Sequence, residues 1–145
     1  MTTRKKPRRE YRNIAIKELL PYMARFPAPA WVSLLHRVSG ALLFLLLPLI
    51  IWAFDASLSS EISYLGLMSV LEHGYGFVPG WLLKLVILAI LWAFLHHLIA
   101  GIRFLVLDVS HHLTERERSA RSARWVLVLS IVLTVALGAK VFGLY

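Results

Sequence analysis

The sequence contains no cysteine, and only 17% of its 145 residues are charged. Without cysteine, the chain has no disulfide framework and cannot hold a metal ion or an iron–sulfur cluster through thiolates. Apolar residues make up 59% of the chain and the mean hydropathy is +0.70, which leaves too little polar surface for a soluble enzyme domain. This hydrophobic composition also excludes intrinsic disorder.

Acidic residues are few, eight against sixteen Lys and Arg, so the formal net charge is +8. Nine of the basic residues lie within 4–37 and five within 103–124. This distribution does not form the basic surface patch that nucleic-acid binding requires. It is typical of a membrane protein with basic loops on one side of the bilayer. We therefore expect the lipid bilayer, and no nucleic acid, as a partner.

Three long apolar segments lie at about 30–54, 82–107 and 125–144. Each is long enough to cross the hydrocarbon core as a helix, which takes about 20 residues. Only structures that satisfy their own backbone hydrogen bonds cross lipid, so long apolar runs favour helices. The predicted fold is an all-α membrane protein with three transmembrane helices. A basic cytoplasmic N-terminal tail over 1–29 precedes a three-helix transmembrane domain over 30–145.

The loops predict the orientation of these helices. The first loop, 55–80, has no Lys or Arg, whereas the second contains Arg116, Arg118, Arg121 and Arg124. The positive-inside rule places the N-terminus and the second loop in the cytoplasm, or in a mitochondrial matrix. We expect a multi-pass protein of the bacterial inner membrane with a cytoplasmic N-terminus. Residues 19–26 are expected along the membrane interface, and 74–80 as a turn.

The first span opens with a polar stripe. Its members, spaced i, i+3, i+4 and i+7, are Ser33, His36, Arg37 and Gly40. They share one helix face, and ionisable residues inside a span are functional candidates. Alternatively, Arg37 extends to the lipid headgroups and Ser33 bonds its own backbone. That alternative does not explain why His36 lies on the same face.

The second span carries two stripes, turned about 100° from each other. One consists of His97, Gly101, Phe104 and Asp108, and the other of His96, Ala100 and Arg103. Gly101 leaves space beside His97 for a flat group such as a porphyrin, and imidazole is a standard axial ligand of haem iron. The alternative for His97, and the favoured interpretation of His96, is a hydrogen bond to a neighbouring helix. Asp108 either bonds Arg103 or a partner chain, or is a simple interfacial charge.

The remaining polar residues are expected to be structural. His73, His111 and His112 lie in loops, where solvated histidines are the norm. Ser130, Thr134 and Gly138 form a small-residue face on the third span, which favours helix packing.

Two motifs resemble the cytochrome b membrane-anchor subunit of succinate dehydrogenase, respiratory complex II. One is Ser33-x-x-His36-Arg37-x-Ser39-Gly40, preceded by Arg25-Phe26-Pro27. The other is His97-x-x-x-Gly101-Ile102-Arg103-Phe104-x-x-x-Asp108. Many family members have histidine where this chain has Phe104, so that residue's propionate contact is not carried over. The resemblance covers residues 25–125.

The resemblance implies a site shared between subunits. It implies that this chain and a second small anchor subunit form a larger helical bundle and hold a haem b between them, with His97 as one axial ligand. Ser33 and Arg37 would line a ubiquinone site, and His36, with Arg37 beside it, would lie near the haem propionates. Electrons from succinate would arrive through an iron–sulfur subunit from a flavoprotein subunit, which holds the catalytic flavin. We predict no catalytic residue in this chain.

Two other functions remain open from the sequence. The chain could anchor a quinol:fumarate reductase, because the sequence does not set the direction of electron flow. It could also be a small transporter or scaffold whose intramembrane histidines bind a metal or a proton.

Reporter fusions test the predicted orientation. Because the basic residues are expected in the cytoplasm, fusions after Ser60 and after Arg118 should report opposite sides of the membrane. The same signal from both fusions would rule out the three-span arrangement.

Overall fold

The computed structural model describes residues 15–110 and 114–144. The described chain is built from helices, and its only β pairing is an isolated bridge between Tyr75 and Val78. The helices are α1 (Ile16–Met23), α2 (Ala28–Ser59), α3 (Glu61–His73), α4 (Gly80–Val109) and α5 (Arg116–Val141). Residues 1–14 of the basic tail and the predicted loop histidines His111 and His112 lie outside the described residues.

Three of these helices, α2, α4 and α5, are long and apolar enough to cross a membrane, as predicted. The all-α membrane fold is therefore confirmed. Each helix extends past at least one end of the apolar segment that marks it in the sequence. With 32 residues, α2 is about 48 Å long, against a hydrocarbon core of about 30 Å. Hydropathy marks only the part in lipid, while the helix continues through the interface.

The start of α5 differs most from the sequence-based bounds. The helix begins at Arg116, nine residues before the predicted start of its span at residue 125. The four arginines assigned to a loop therefore lie on its first turns. Arginine is a good helix former, and its long side chain reaches polar surroundings from a helical backbone. The basic charge stays at one end of the bundle, but on a helix.

The segment 55–80, predicted as a loop, contains the helix α3. Ser60 and Ser63 cap its start in both directions, since each side-chain oxygen accepts from the other residue's backbone N–H at 3.1 Å. The helix ends at Gly74, whose φ of 94° suits glycine. Tyr75 and Val78 then exchange backbone hydrogen bonds of 2.9 and 3.0 Å, so the predicted turn at 74–80 is confirmed.

Small side chains bring the spanning helices together around α4, which packs against both α2 and α5. The core consists of Val32, Ala100, Ala123 and Val126. The predicted small-residue face of α5 is buried: Ser130, Thr134 and Gly138 all lie against the bundle. Gly138 allows close approach, because a Cβ there would meet the side chain of Leu88 on α4. Small residues at such contacts let helix backbones approach closely in lipid.

The helix α2 is the least covered of the three. None of its most apolar window is buried, compared with 22% of the window in α4 and 28% in α5. Phe44 and Leu45 are both about three-quarters exposed at its middle. This surface is available to lipid or to further helices.

Candidate functional site

Two histidines meet where α2 and α4 cross. The rings of His36 and His97 stack with centroids 4.1 Å apart and an interplanar angle of 7°. Phe104, one stripe position beyond Gly101, packs the edge of its ring against His36 at 5.2 Å. The predicted stripe of α4 therefore faces the predicted stripe of α2. Its last member, Asp108, is exposed and makes no ion pair with Arg103.

Hydrogen bonds orient the ring of His97. Its Nδ1 lies 3.0 Å from the backbone oxygen of His36 and 3.3 Å from Oγ of Ser39, which itself donates to the same carbonyl. A carbonyl oxygen can only accept, so Nδ1 of His97 carries the proton. In the neutral imidazole the lone pair is then on the other ring nitrogen, Nε2. Within the described residues, no group hydrogen bonds to Nε2 of His97.

Glycine makes the close approach of α2 and α4 possible. A Cβ at Gly40 would lie 2.7 Å from Cε1 of His97, so α2 passes directly beside the imidazole. At Gly101, a Cβ would meet only Nε2 of His36, at an ordinary 3.5 Å. The sequence indicated space beside Gly101, and in the structure the ring of His36 borders that space. The steric requirement for glycine is therefore stricter at Gly40 than at Gly101.

The second stripe of α4 faces α5. His96 is fully buried, and its Nδ1 lies 3.3 Å from Oγ of Ser130, while Trp92 stacks on its ring at 5.3 Å. The favoured interpretation of His96, a hydrogen bond to a neighbouring helix, is confirmed. Its Nε2 has no partner among the described residues. The backbone of Val32 on α2 also lies close to its ring.

Arg103 connects α4 to the first turns of α5, a contact that sequence reasoning missed. It is 8% exposed and donates to Oγ of Ser122 at 3.0 Å, and to the backbone oxygen and Oγ of Ser119 at 3.1 and 3.0 Å. The two serines lie three residues apart, so they share one helix face. The three-residue spacing of Ser119 and Ser122 was the sequence signal that could have predicted this contact.

Ser33 and Arg37 lie on the same helix, α2, as His36 of the histidine pair. Ser33 is partly buried and Arg37 is exposed. Neither side chain has a hydrogen-bond partner within the described part of the chain. They lie about 8 and 14 Å along α2 from its first residue. Both donors are thus available near the end of the bundle that carries the arginines of α5.

His73, which was predicted to lie in a loop, is the last residue of α3 and is exposed. Its only hydrogen-bond partner in the described ranges is the backbone oxygen of Ser69, at 3.2 Å. This agrees with the structural role expected for it.

Fold and site together define a multi-pass helical membrane protein. Between its first two spans lies His97, whose ring is held in one orientation by a hydrogen bond to α2. The model of the family described as "Succinate dehydrogenase/Fumarate reductase transmembrane subunit" matches residues 9–137, and the chain belongs to this family. It is therefore a membrane subunit of an electron-transport complex with further subunits.

Two curated relatives agree with this assignment. The chain is 35% identical to the succinate dehydrogenase cytochrome b556 subunit of Coxiella burnetii over 117 residues, 81% of this chain and 88% of the relative. It is 29% identical to the subunit of the same name from Paracoccus denitrificans over 111 residues, 77% of this chain and 79% of the relative. The family predicted from the two motifs is thereby confirmed.

Replacing Gly40 tests the close approach of α2 to His97. In Gly40→Ala the ring of His97 must move, which weakens its bond to the carbonyl of His36, and a hydrogen bond contributes about 0.5–1.5 kcal/mol. We expect a lower thermal unfolding midpoint for the purified complex. Gly66→Ala is the matched control, because a Cβ there meets nothing within 4 Å. Equal midpoints for wild type and Gly40→Ala would contradict the tight contact.

Proposed function

We propose that this chain is the cytochrome b anchor subunit of a succinate dehydrogenase. It binds haem b through His97 and forms part of the site that reduces ubiquinone with electrons from succinate. The observation that carries the proposal is the orientation of His97: Nδ1 donates to the carbonyl of His36, and Nε2 is left with a free lone pair. Family membership supplies the class of complex.

The residues around His97 fit a haem. Nε2 of His97 would hold the haem iron, because His36 stacks on the face of the imidazole and does not cover this nitrogen. The hydrogen bond at Nδ1 sets the tautomer and increases the basicity of the imidazole, as second-shell acceptors do for metal-bound histidines. Gly40 keeps a side chain from crowding the ring of His97. When bound, the haem supplies a one-electron redox centre.

His36 and Arg37 are the proposed contacts to the haem propionates. His36 borders the space beside Gly101, with its Nε2 as the nearest side-chain atom. Arg37 follows it on α2 and has an exposed guanidinium. Arginine pairs with carboxylates through two parallel hydrogen bonds. Phe104, apolar and packed on His36, supplies no such contact.

Ser33 and Arg37 are the proposed ubiquinone contacts. A serine hydroxyl donates one hydrogen bond to a carbonyl oxygen, and a guanidinium adds a charge-assisted one. Both side chains are without hydrogen-bond partners in the described chain, and they lie one helical turn apart. Reduction of a quinone consumes two protons, which are drawn more easily from water near the interface than at the bilayer centre.

A second ligand for the haem iron would come from a partner subunit. His97 alone suffices where a second small anchor subunit contributes the other ligand. The uncovered surface of α2 can pack against the helices of that subunit. An iron–sulfur subunit and a flavoprotein subunit complete the proposed complex.

The proposed location is the bacterial inner membrane, with the N-terminus in the cytoplasm. The arginines of α5 lie at the bundle end where α2 begins and α4 finishes, which is the cytoplasmic end under the positive-inside rule. The proposed quinone contacts lie near that end. We propose the domain division on the same basis of charge and hydropathy. It consists of a basic tail over 1–29 and a membrane domain over 30–145.

A quinol:fumarate reductase is the second candidate. The description of the matched family names both enzymes. The same ligand and quinone contacts serve electron flow in either direction. Both matched relatives are named for succinate dehydrogenase, which favours the first candidate.

Variants of the adjacent histidines test the haem ligand. His97→Ala in the purified complex should lose the b-type absorption spectrum, because no other nitrogen takes its place. Added imidazole should restore part of the spectrum by entering the vacated position. The control is His96→Gln, which keeps a donor for Ser130 and should retain the spectrum. Loss of the haem in His96→Gln, with retention in His97→Ala, would show that the ligand assignment is wrong.

Two variants on α2 test the quinone contacts. Ser33→Ala should slow ubiquinone reduction about two- to tenfold, since a neutral hydrogen bond contributes about 0.5–1.5 kcal/mol. Arg37→Leu should slow ubiquinone reduction more than Ser33→Ala does, because a charge-assisted hydrogen bond is removed. Both should keep electron transfer from succinate to a soluble dye, which occurs at the soluble subunits.

Matched controls separate this effect from defective assembly. Ser57→Ala lies at the other end of α2, and Arg121→Leu removes an exposed arginine of α5. Both should reduce ubiquinone normally. Unchanged ubiquinone reduction in Ser33→Ala and Arg37→Leu would exclude these residues from the site. Equal losses of quinone and dye reduction would indicate an assembly defect.

A further inference from the structure

Two lysines break the charge pattern of the chain. All other Lys and Arg residues lie within 4–37 and 103–124 of the sequence. Those on α2, α4 and α5 lie at the arginine-rich end of the bundle, whereas Lys84 and Lys140 lie at the opposite end. Both line one groove of about 730 Å³ between α3, α4 and α5. The two exceptions to the charge pattern therefore converge on one place.

The groove does not neutralise these ammonium groups. Its acidic residue is Glu72, and in the described ranges neither lysine forms an ion pair with it. Lys84 is partly buried and lies one helical turn into α4 from Trp81. A cation at the edge of an apolar span is costly to desolvate and favours a bound anion.

The rest of the groove is apolar and continues beneath α3. A second groove of about 420 Å³, between α2, α3 and α4, shares Leu67, Leu71 and Ile87 with the first. The lining of this second groove is apolar throughout. The two grooves thus flank α3 and offer a continuous apolar surface that begins at the lysines.

Aromatic side chains mark the depth of the lysines. Phe77 precedes α4 and Trp81 lies in its first turn. They are 98% and 61% exposed, as aromatic residues at the membrane–water interface commonly are. Lys84 lies about 4.5 Å deeper along the helix. Lys140 belongs to the last turn of α5. The ammonium groups therefore lie at the level of lipid headgroups.

We propose that these grooves bind a phospholipid with an anionic headgroup. Its phosphate lies between Lys84 and Lys140, and an acyl chain follows the apolar surface beside α3. Free phosphate has no apolar part to fill the groove, and a zwitterionic lipid brings its own cation to the lysines. This site is independent of the proposed haem and quinone contacts.

Photolabelling in lipid nanodiscs tests the site. The complex is purified with its partner subunits and placed in phosphatidylcholine containing a small fraction of phosphatidylglycerol whose acyl chain carries a diazirine. After irradiation, mass spectrometry should find the label on peptides containing Leu67 and Leu71. A phosphatidylcholine probe with the same chain should label these peptides much less.

The lysine variants give the quantitative comparison. Each lysine attracts the anionic headgroup, so its loss should weaken binding of the probe. At a probe concentration below saturation, we expect labelling to fall about fivefold for Lys84→Gln or Lys140→Gln, and about 30-fold for both together. The control is the Arg121→Gln, Arg124→Gln double variant, which loses the same charge at the opposite end. It should keep the labelling of the α3 peptides.

Four outcomes would overturn the proposal. These are labelling unchanged in the double lysine variant, equal labelling by both probes, no labelling of the α3 peptides in the wild-type complex, and complete displacement of the probe by inorganic phosphate. The third would show that a partner subunit covers the grooves. The fourth would show a simple anion site.

Discussion

The packing of the three spanning helices depends on two adjacent histidines of α4, His96 and His97, whose side chains point in different directions. Consecutive helical positions are turned by about 100°, so His97 reaches α2 while His96 reaches α5. In lipid, where apolar contacts between helices bring little hydrophobic gain, interhelical hydrogen bonds and close packing hold the bundle together. A polar group without a partner is costly there. Each histidine of α4 thus secures one neighbouring helix, and α4 becomes the centre of the bundle.

This arrangement explains which parts of the site were predictable. The 3.6-residue period alone separates the two stripes of α4, because it depends only on local geometry. The neighbour that each stripe faces depends on tertiary packing. The sequence therefore indicated that His97 and Gly101 share a face, but not that His36 would stack on His97. The bond from Nδ1 to a backbone carbonyl was equally hidden, because every residue has such a carbonyl.

The helix boundaries were missed for a different physical reason. Hydropathy reports the residues that prefer lipid, whereas a helix ends where its backbone hydrogen bonds end. The arginines at the start of α5 are polar but helical, so its true start at Arg116 was invisible to hydropathy. In α3, too short to cross the membrane, the signal lay in the reciprocal cap of Ser60 and Ser63. That pair differs from the usual Ser-x-x-Glu box.

The two ends of the bundle have separate electrostatic roles. At the arginine-rich end, the donors of α2 lie beside a histidine whose orientation is set by a backbone carbonyl. At the other end, Lys84 lies 13 residues before His97 on the same helix, a separation of about 20 Å. Residues that far apart with no shared partner usually act independently. Lipid contacts at Lys84 can therefore vary without disturbing the proposed ligand.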